Sequence, residues 1–203
     1  MQKKSFRYVF TVISVIVTMG SVASAESSDV ELARSVLEKA DQIRFPRESF
    51  QVDVSINTTS PGQSADMREY RILSKGNENS VVMATEPASE RGQIILMKGR
   101  DLWIFIPSVS QPVRLSLSQR LTGQVANGDL ARANFAGDYN ATILRTDTID
   151  GERYFVLELI GIDRSVTYHK VLYWVRQSNF WPYRAEFYSL SDRLLKTSRY
   201  ENF

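Results

Sequence analysis

From Phe50 onward the chain changes sides at every residue, and this alternation decides most of what it can fold into. In "SFQVDVSI", Phe50, Val52, Val54 and Ile56 fall on one side and Gln51, Asp53 and Ser55 on the other. Successive side chains of an extended strand point to opposite faces, so a period of two predicts a half-buried strand. Pro61-Gly62 reads as the turn that ends it. Strand-like runs follow at 66–75, 80–86, 92–98 and 101–106, divided by "KGNEN" and "KGRD". The pattern returns later in "DYNATILRT", "ERYFVLELI", "HKVLYWVR", "WPYRAEFYS" and "RLLKTSRYENF". About ten strands joined by short turns predict one antiparallel meander, bent into a barrel or a strongly curved sheet.

Two segments depart from that period. "DVELARSVLEKADQIR", Asp29 to Arg44, spaces Val30, Ala33, Val36, Leu37, Ala40 and Ile43 at helical intervals. Ser28 or Asp29 is the expected N-cap, and Phe45-Pro46 the expected stop. One face of this helix is apolar and the other charged, so it must lie on something. The second departure is "SLSQRLTGQVANGDLARANFAG", between the two groups of strands. Its composition predicts short helices around Leu117–Leu121 and Asp129–Asn134, broken by Gly123 and Gly128. A segment of this kind, midway through a meander, suits a lid over the mouth of a curved sheet. A long loop packed on the outside is the alternative.

The first residues do not belong to this pattern. "MQKKSFRYVFTVISVIVTMGSVASA" has a basic head (Lys3, Lys4, Arg7), an apolar run from Tyr8 to Met19 and an Ala23-Ser24-Ala25 ending. That is the layout of a secretory signal peptide, cut between Ala25 and Glu26. The apolar run is shorter than the roughly 20 residues a membrane-spanning helix needs. An uncleaved anchor is the alternative. The expected division is therefore a signal peptide, 1–25, and a single exported domain, 26–203, placed in the periplasm.

Charge must be counted on that second part. Residues 1–25 hold three of the 25 Lys and Arg and none of the 23 Asp and Glu, so 22 − 23 leaves −1 for residues 26–203. The basic balance of the whole chain comes from the leader, and no basic patch invites nucleic acid. There is no cysteine. An exported domain without disulfides must be stable through its core, and it lacks the residue on which bacterial lipoproteins are acylated.

Catalytic chemistry needs convergent titratable groups, and the sequence offers few. The one histidine, His169, opens a predicted strand, where a structural role is the default. No closely spaced cluster of His, Cys and carboxylates suits a metal. There is no Gly-x-Ser-x-Gly elbow and no glycine-rich phosphate loop. The expectation is a protein that is not an enzyme and has no cofactor.

The aromatic residues lead elsewhere. Trp103, Phe105, Trp174 and Trp181 sit in predicted strands, with Tyr154, Phe155, Tyr173, Tyr183, Phe187 and Tyr188 near them. Singly, each suits a packed core. Beside a curved sheet and a helical insert, they also suit an apolar cavity for an apolar ligand. Each acyl methylene buried there contributes roughly 0.8 kcal/mol.

One run carries a resemblance. Gly99-Arg100-Asp101-Leu102-Trp103-Ile104-Phe105-Ile106-Pro107, with Gln111 beyond it, resembles the signature strand of the LolA/LolB family of periplasmic lipoprotein-sorting carriers. The order of signal peptide, amphipathic helix, strands, signature, helices and further strands is similar as well. The resemblance implies a mainly β fold: an open antiparallel half-barrel of about ten or eleven strands, covered by the N-terminal helix and a central helical lid. It further implies a hydrophobic cavity for acyl chains of lipoproteins or other envelope lipid, an inner-membrane transporter that delivers cargo and an outer-membrane acceptor. The residues it marks for ligand binding are Trp103, Phe105, Leu115, Leu117, Leu121 and Leu130. The alternative is a non-enzymatic structural or accessory module of a cell-envelope transport complex. One departure is plain: the family carrier has an Arg-Pro pair in an early turn whose arginine clasps the lid, and here that turn reads Ser74-Lys75-Gly76-Asn77.

Overall fold

The computed structural model describes residues 22–46, 48–76, 78–132 and 134–203. Most of the expected signal peptide, residues 1–21, lies outside them. Helix α1 (Val22–Arg44) opens the described chain. It starts earlier than the expected cap, so Ser28 and Asp29 lie inside it. Ala33, Val36, Leu37 and Ala40 are buried, at the spacing that brings side chains onto one helical face. Val30, at the start of the same stripe, is exposed.

The first half then builds a sheet from β1 (Phe50–Thr58), β2 (Asp66–Lys75), β3 (Asn79–Glu86), β4 (Ile94–Lys98), β5 (Asp101–Phe105) and β6 (Val113–Leu115), neighbours in chain order and antiparallel. Two short strands, β7 (Arg120–Thr122) and β8 (Val125–Ala126), form a hairpin of their own. Helices α2 (Asn127–Ala131) and α3 (Phe135–Asp138) follow. The second half forms another antiparallel sheet from β9 (Tyr139–Ile149), β10 (Glu152–Gly161), β11 (Lys170–Arg176), β12 (Pro182–Tyr188) and β13 (Leu194–Arg199). Asp150-Gly151 joins β9 to β10 with φ of 51° and 81°. Two consecutive positive φ values are what a tight type I′ hairpin demands, and Asp-Gly meets that demand at low cost.

The fold is mainly β, antiparallel and not closed into a barrel, with few helices. The expectation of one continuous meander is corrected: β6 and β9 lie in different sheets, because the hairpin and two helices come between them. The expected helix at Leu117–Leu121 is also absent. Ser116 and Ser118 hydroxyls lie 2.8 Å apart, and Ser116 Oγ accepts from the Ser118 amide. Such local side-chain bonds compete with helix formation, and the chain turns into β7 instead. The helix expected at Asp129–Asn134 forms two residues early and stops at Ala131. Gly128 does not break it: a Cβ there would meet Thr167 Oγ1 at 2.1 Å, so glycine permits close packing of α2 on the 162–169 loop.

Each sheet has a buried inner face. Tyr70, Ile72, Val82, Ile95, Met97 and Leu102 line that of the first, under Leu117, Leu130 and Ala131. Leu157, Leu159, Val171, Tyr173, Val175 and Phe187 line that of the second, under α1 and Phe135. The second sheet buries part of its other face as well. There Trp174 is 1% exposed, stacked 3.9 Å from Arg184 and donating from Nε1 to Asp147 at 2.8 Å.

Candidate ligand cavity

Between the two inner faces lies a cavity of about 580 Å³. Val54 and Ile56 of β1 form one wall, and Phe187, Lys196 and Ser198 of β12 and β13 the other. Leu130 of α2 and Phe135 of α3 cover it, while Ile43 and Arg44 close it at the end of α1. The alternation explains the walls: Val54 and Ile56 belong to the inward set of β1, and Phe187 to that of β12.

The cover is held by charged groups. Asp138 receives Arg132 in a two-pronged grip, Nε to Oδ2 at 2.6 Å and Nη2 to Oδ1 at 2.7 Å, with both side chains buried. Arg100, in the turn between β4 and β5, donates to the same carboxylate at 3.0 and 3.1 Å and reaches Asp163 at 2.5 Å. Arg132 also donates to the Gly99 carbonyl at 2.9 Å, and Ser80 Oγ to the Ala131 carbonyl at 2.8 Å. These bonds fasten the end of α2 to the first sheet and the start of β9 to the β4–β5 turn.

A second cluster holds the start of α2. Asp129 Oδ2 accepts from the Ala126 amide at 2.7 Å, Tyr168 Oη at 2.8 Å and Lys196 Nζ at 2.5 Å. Burial and the Asp129 charge push the Tyr168 phenol well above its ordinary range, so it stays protonated and donates. Lys196 lies 4.8 Å from the Tyr168 ring centre and 4.7 Å from that of Phe187. An ammonium over aromatic faces is stabilised by the ring quadrupoles.

The third cluster sits behind Phe135. Asp41 Oδ2 accepts from the Ala136 amide at 2.7 Å, which fixes α3 to α1. Burial pushes the Asp41 carboxyl up to about 6, against the pull of Arg44. Arg44 Nη2 is 3.3 Å from Oδ1, yet Oδ1 receives no well-aligned hydrogen bond. The pair attracts without fully replacing the water lost on burial.

Of the six residues marked from the sequence, Leu130 alone lines this cavity. Leu117 is buried in the core beneath the first sheet, with Leu115 and Leu121 packed against it. Trp103 and Phe105 lie on the outer face of that sheet, and Phe105 is 41% exposed. In the same strand Leu102 points inward and is fully buried. Trp103 continues an outer row through Leu96, Val81 and Leu73. The wall residues Val54, Ile56 and Phe187 were within reach of the alternation argument. Arg44, Asp129, Tyr168 and Lys196 carried no such signal.

Among the described residues no cluster of His, Cys, Asp and Glu is arranged to hold a metal ion. No helix among them is long and apolar enough to cross a membrane.

Comparison with known proteins follows this architecture. A family described as "Uncharacterized protein" matches residues 76–203. No curated protein matches the chain. The crystal structure of a LolA superfamily protein from Nitrosomonas europaea is 74% identical, with a TM-score of 0.81, covering 84% of this chain and 78% of that one. A DUF1329 family protein from Desulfovibrio piger shares the fold at 21% identity and a TM-score of 0.68, over 83% of this chain and 77% of that one. A domain described as an outer membrane lipoprotein-sorting protein, from Vibrio parahaemolyticus, does so at 20% identity and a TM-score of 0.66, over 85% and 78%. With the open antiparallel architecture, its few covering helices and a relative this similar over most of its length, the chain belongs to the LolA superfamily.

Proposed function

We propose that the protein is a periplasmic carrier that holds acyl chains of lipoproteins or other lipids in the cavity between its sheets and moves them toward the outer membrane. The observation that carries this reading is the cavity itself: about 580 Å³, walled by Val54, Ile56 and Phe187 and covered by Leu130 and Phe135 on short helices. That volume lies in the range of small-molecule pockets. Membership of the LolA superfamily, and the fold shared with a domain described as lipoprotein-sorting, support it. The role is non-enzymatic. An inner-membrane transporter that loads the cavity and an outer-membrane acceptor that empties it complete the proposal. Export with cleavage after Ala25 belongs to it too, leaving Glu26–Arg44 of α1 on the mature protein.

Native mass spectrometry of the protein taken from its own periplasm tests the carrier role. A co-purifying acylated species, and a melting temperature that rises with added acyl ligand, are expected. An empty protein that no acyl ligand stabilises overturns it. A second reading, an accessory module of an envelope transport complex, is favoured by one observation. Leu73, Leu96 and Phe105 are all exposed on the outer face of the first sheet, and exposed apolar rows mark contact surfaces. Isolation as a stable stoichiometric complex, without lipid, is the outcome that favours it.

A further inference from the structure

Resting on the carrier reading, we propose that the cavity is built for one acyl chain whose anionic head, a carboxylate or phosphate, sits at a cationic threshold made by Lys196 and Arg120. Two observations carry this: the size of the cavity and the chemistry of its mouth.

The size limits the number of chains. At roughly 30 Å³ per methylene-sized group, close to the share of one water in the liquid, about 580 Å³ accommodates on the order of 20 such groups. That is one long chain. A second or third chain, as in a phospholipid or a triacylated lipopeptide, would have to extend toward the solvent-open side of the cavity.

The mouth sets the head. Beside the cavity lies a surface pocket of about 170 Å³, whose lining includes Ser118, Arg120, Gln124 and Leu195. The two spaces share Val125, Tyr168 and Lys196, so these side chains stand between them, with Tyr168 and Lys196 joined through Asp129. No acidic residue lines the surface pocket. Arg120 is exposed and has no carboxylate partner among the described residues. Asp129 offsets one of the two cations, but its Oδ2 already receives three donors, and the ammonium of Lys196 retains protons beyond the one aimed at it. The threshold therefore carries one net positive charge, with Gln124 and the arginine fork free to donate. An anionic head placed there keeps contact with water while its tail runs inward along Val54, Ile56 and Phe187.

Competition binding against a fluorescent fatty-acid analogue tests the proposal. The competitors are a long-chain fatty acid, an anionic single-chain lysophospholipid, a long-chain alcohol, a diacyl phosphatidylglycerol and a triacylated lipopeptide. The fatty acid or the lysophospholipid is expected to bind at least about ten-fold tighter than the alcohol, the effect of one charge-assisted hydrogen bond. Whichever of the two binds tighter identifies carboxylate or phosphate as the head. Lys196→Met and Arg120→Gln are each expected to erase most of that ratio. Because Lys196 also braces α2, the Arg120 variant at the surface decides if the Lys196 variant fails to fold. An alcohol that binds as tightly as the acid, or an Arg120→Gln protein that keeps the preference, overturns the anionic head. Preferred binding of the diacyl lipid or the lipopeptide overturns the single chain. In these outcomes the carrier reading stands. If no acyl compound binds, the carrier reading fails as well.

Discussion

Arg132 meets Asp138 with two parallel hydrogen bonds, 2.6 and 2.7 Å long, inside the protein and six residues away along the chain. A buried pair of this geometry contributes little compared with an apolar alternative, but it is costly to break, because the remaining charge is left without a partner. Arg132→Ala is therefore expected to destabilise the fold by about 3–5 kcal/mol in urea unfolding. Arg100 still reaches Asp138 in that variant, which favours the lower end. Arg71 and Asp53 form a similar-looking pair in the open, at 2.8 Å. Arg71→Ala is expected to leave the urea midpoint unchanged, since solvent screens that pair.

Asp41 makes stability depend on pH in an unusual direction. Its carboxyl is pushed up to about 6 by burial, above the ordinary value of 3.8. The folded state therefore holds this proton more tightly than the unfolded chain does. The contribution is fully present below pH 3.8 and is lost as pH rises through 6, amounting to up to about 3 kcal/mol. Most carboxylates act in the opposite sense. Unfolding measured from pH 4 to pH 7 is expected to show this loss in the native protein, and Asp41→Asn, which does not titrate, is expected to lack it. Identical pH profiles for the two proteins exclude Asp41 as the source.

The face assigned to β5 gives a sharper test. Leu102→Ala removes a fully buried side chain and is expected to cost about 2–5 kcal/mol. Trp103→Ala, one residue on, alters the outer face and is expected to leave acyl-ligand affinity at the native level. A Trp103 variant that folds but loses ligand places the binding surface outside the cavity.

That contrast also shows where reading the sequence stops. Strands such as β1 and β2 were legible because one-sided burial forces alternation, and the run at 66–75 coincides with β2. In β5 both faces are apolar, Leu102 and Ile104 against Trp103 and Phe105, so alternation could not say which one points inward. The outer face tolerates Trp103 because Leu96 and Arg114 flank it across the sheet. The division into two sheets was hidden for another reason. The strands that end the first sheet and form the separate hairpin are two or three residues long, too short to display a period. The charged lining was hidden because pairing is decided by the fold: Asp129 and Lys196 lie 67 residues apart, and Arg100 and Asp163 lie 63 apart. Local composition gives each of them as an ordinary surface charge.

Asp129 joins α2 to β13 through Lys196 and to the 162–169 loop through Tyr168, and it satisfies the Ala126 amide at the start of the helix. A helix of five residues cannot persist on its own hydrogen bonds, so its position depends on such attachments. Asp129→Asn keeps the size but removes the charge that draws the ammonium and the phenol. Stability is expected to fall by about 1–3 kcal/mol, in line with the loss of charged hydrogen bonds. The more specific readout is hydrogen exchange. The Arg132 amide, bonded to the Gly128 carbonyl at 2.9 Å, is expected to exchange faster, while the Leu157 and Leu159 amides of β10 change only by the global loss of stability. Release of a bound acyl ligand is expected to quicken in the same variant. If the α2 and β10 amides accelerate by the same factor, Asp129 supports the whole fold, and the control of the cavity lies with the Arg132–Asp138 end instead.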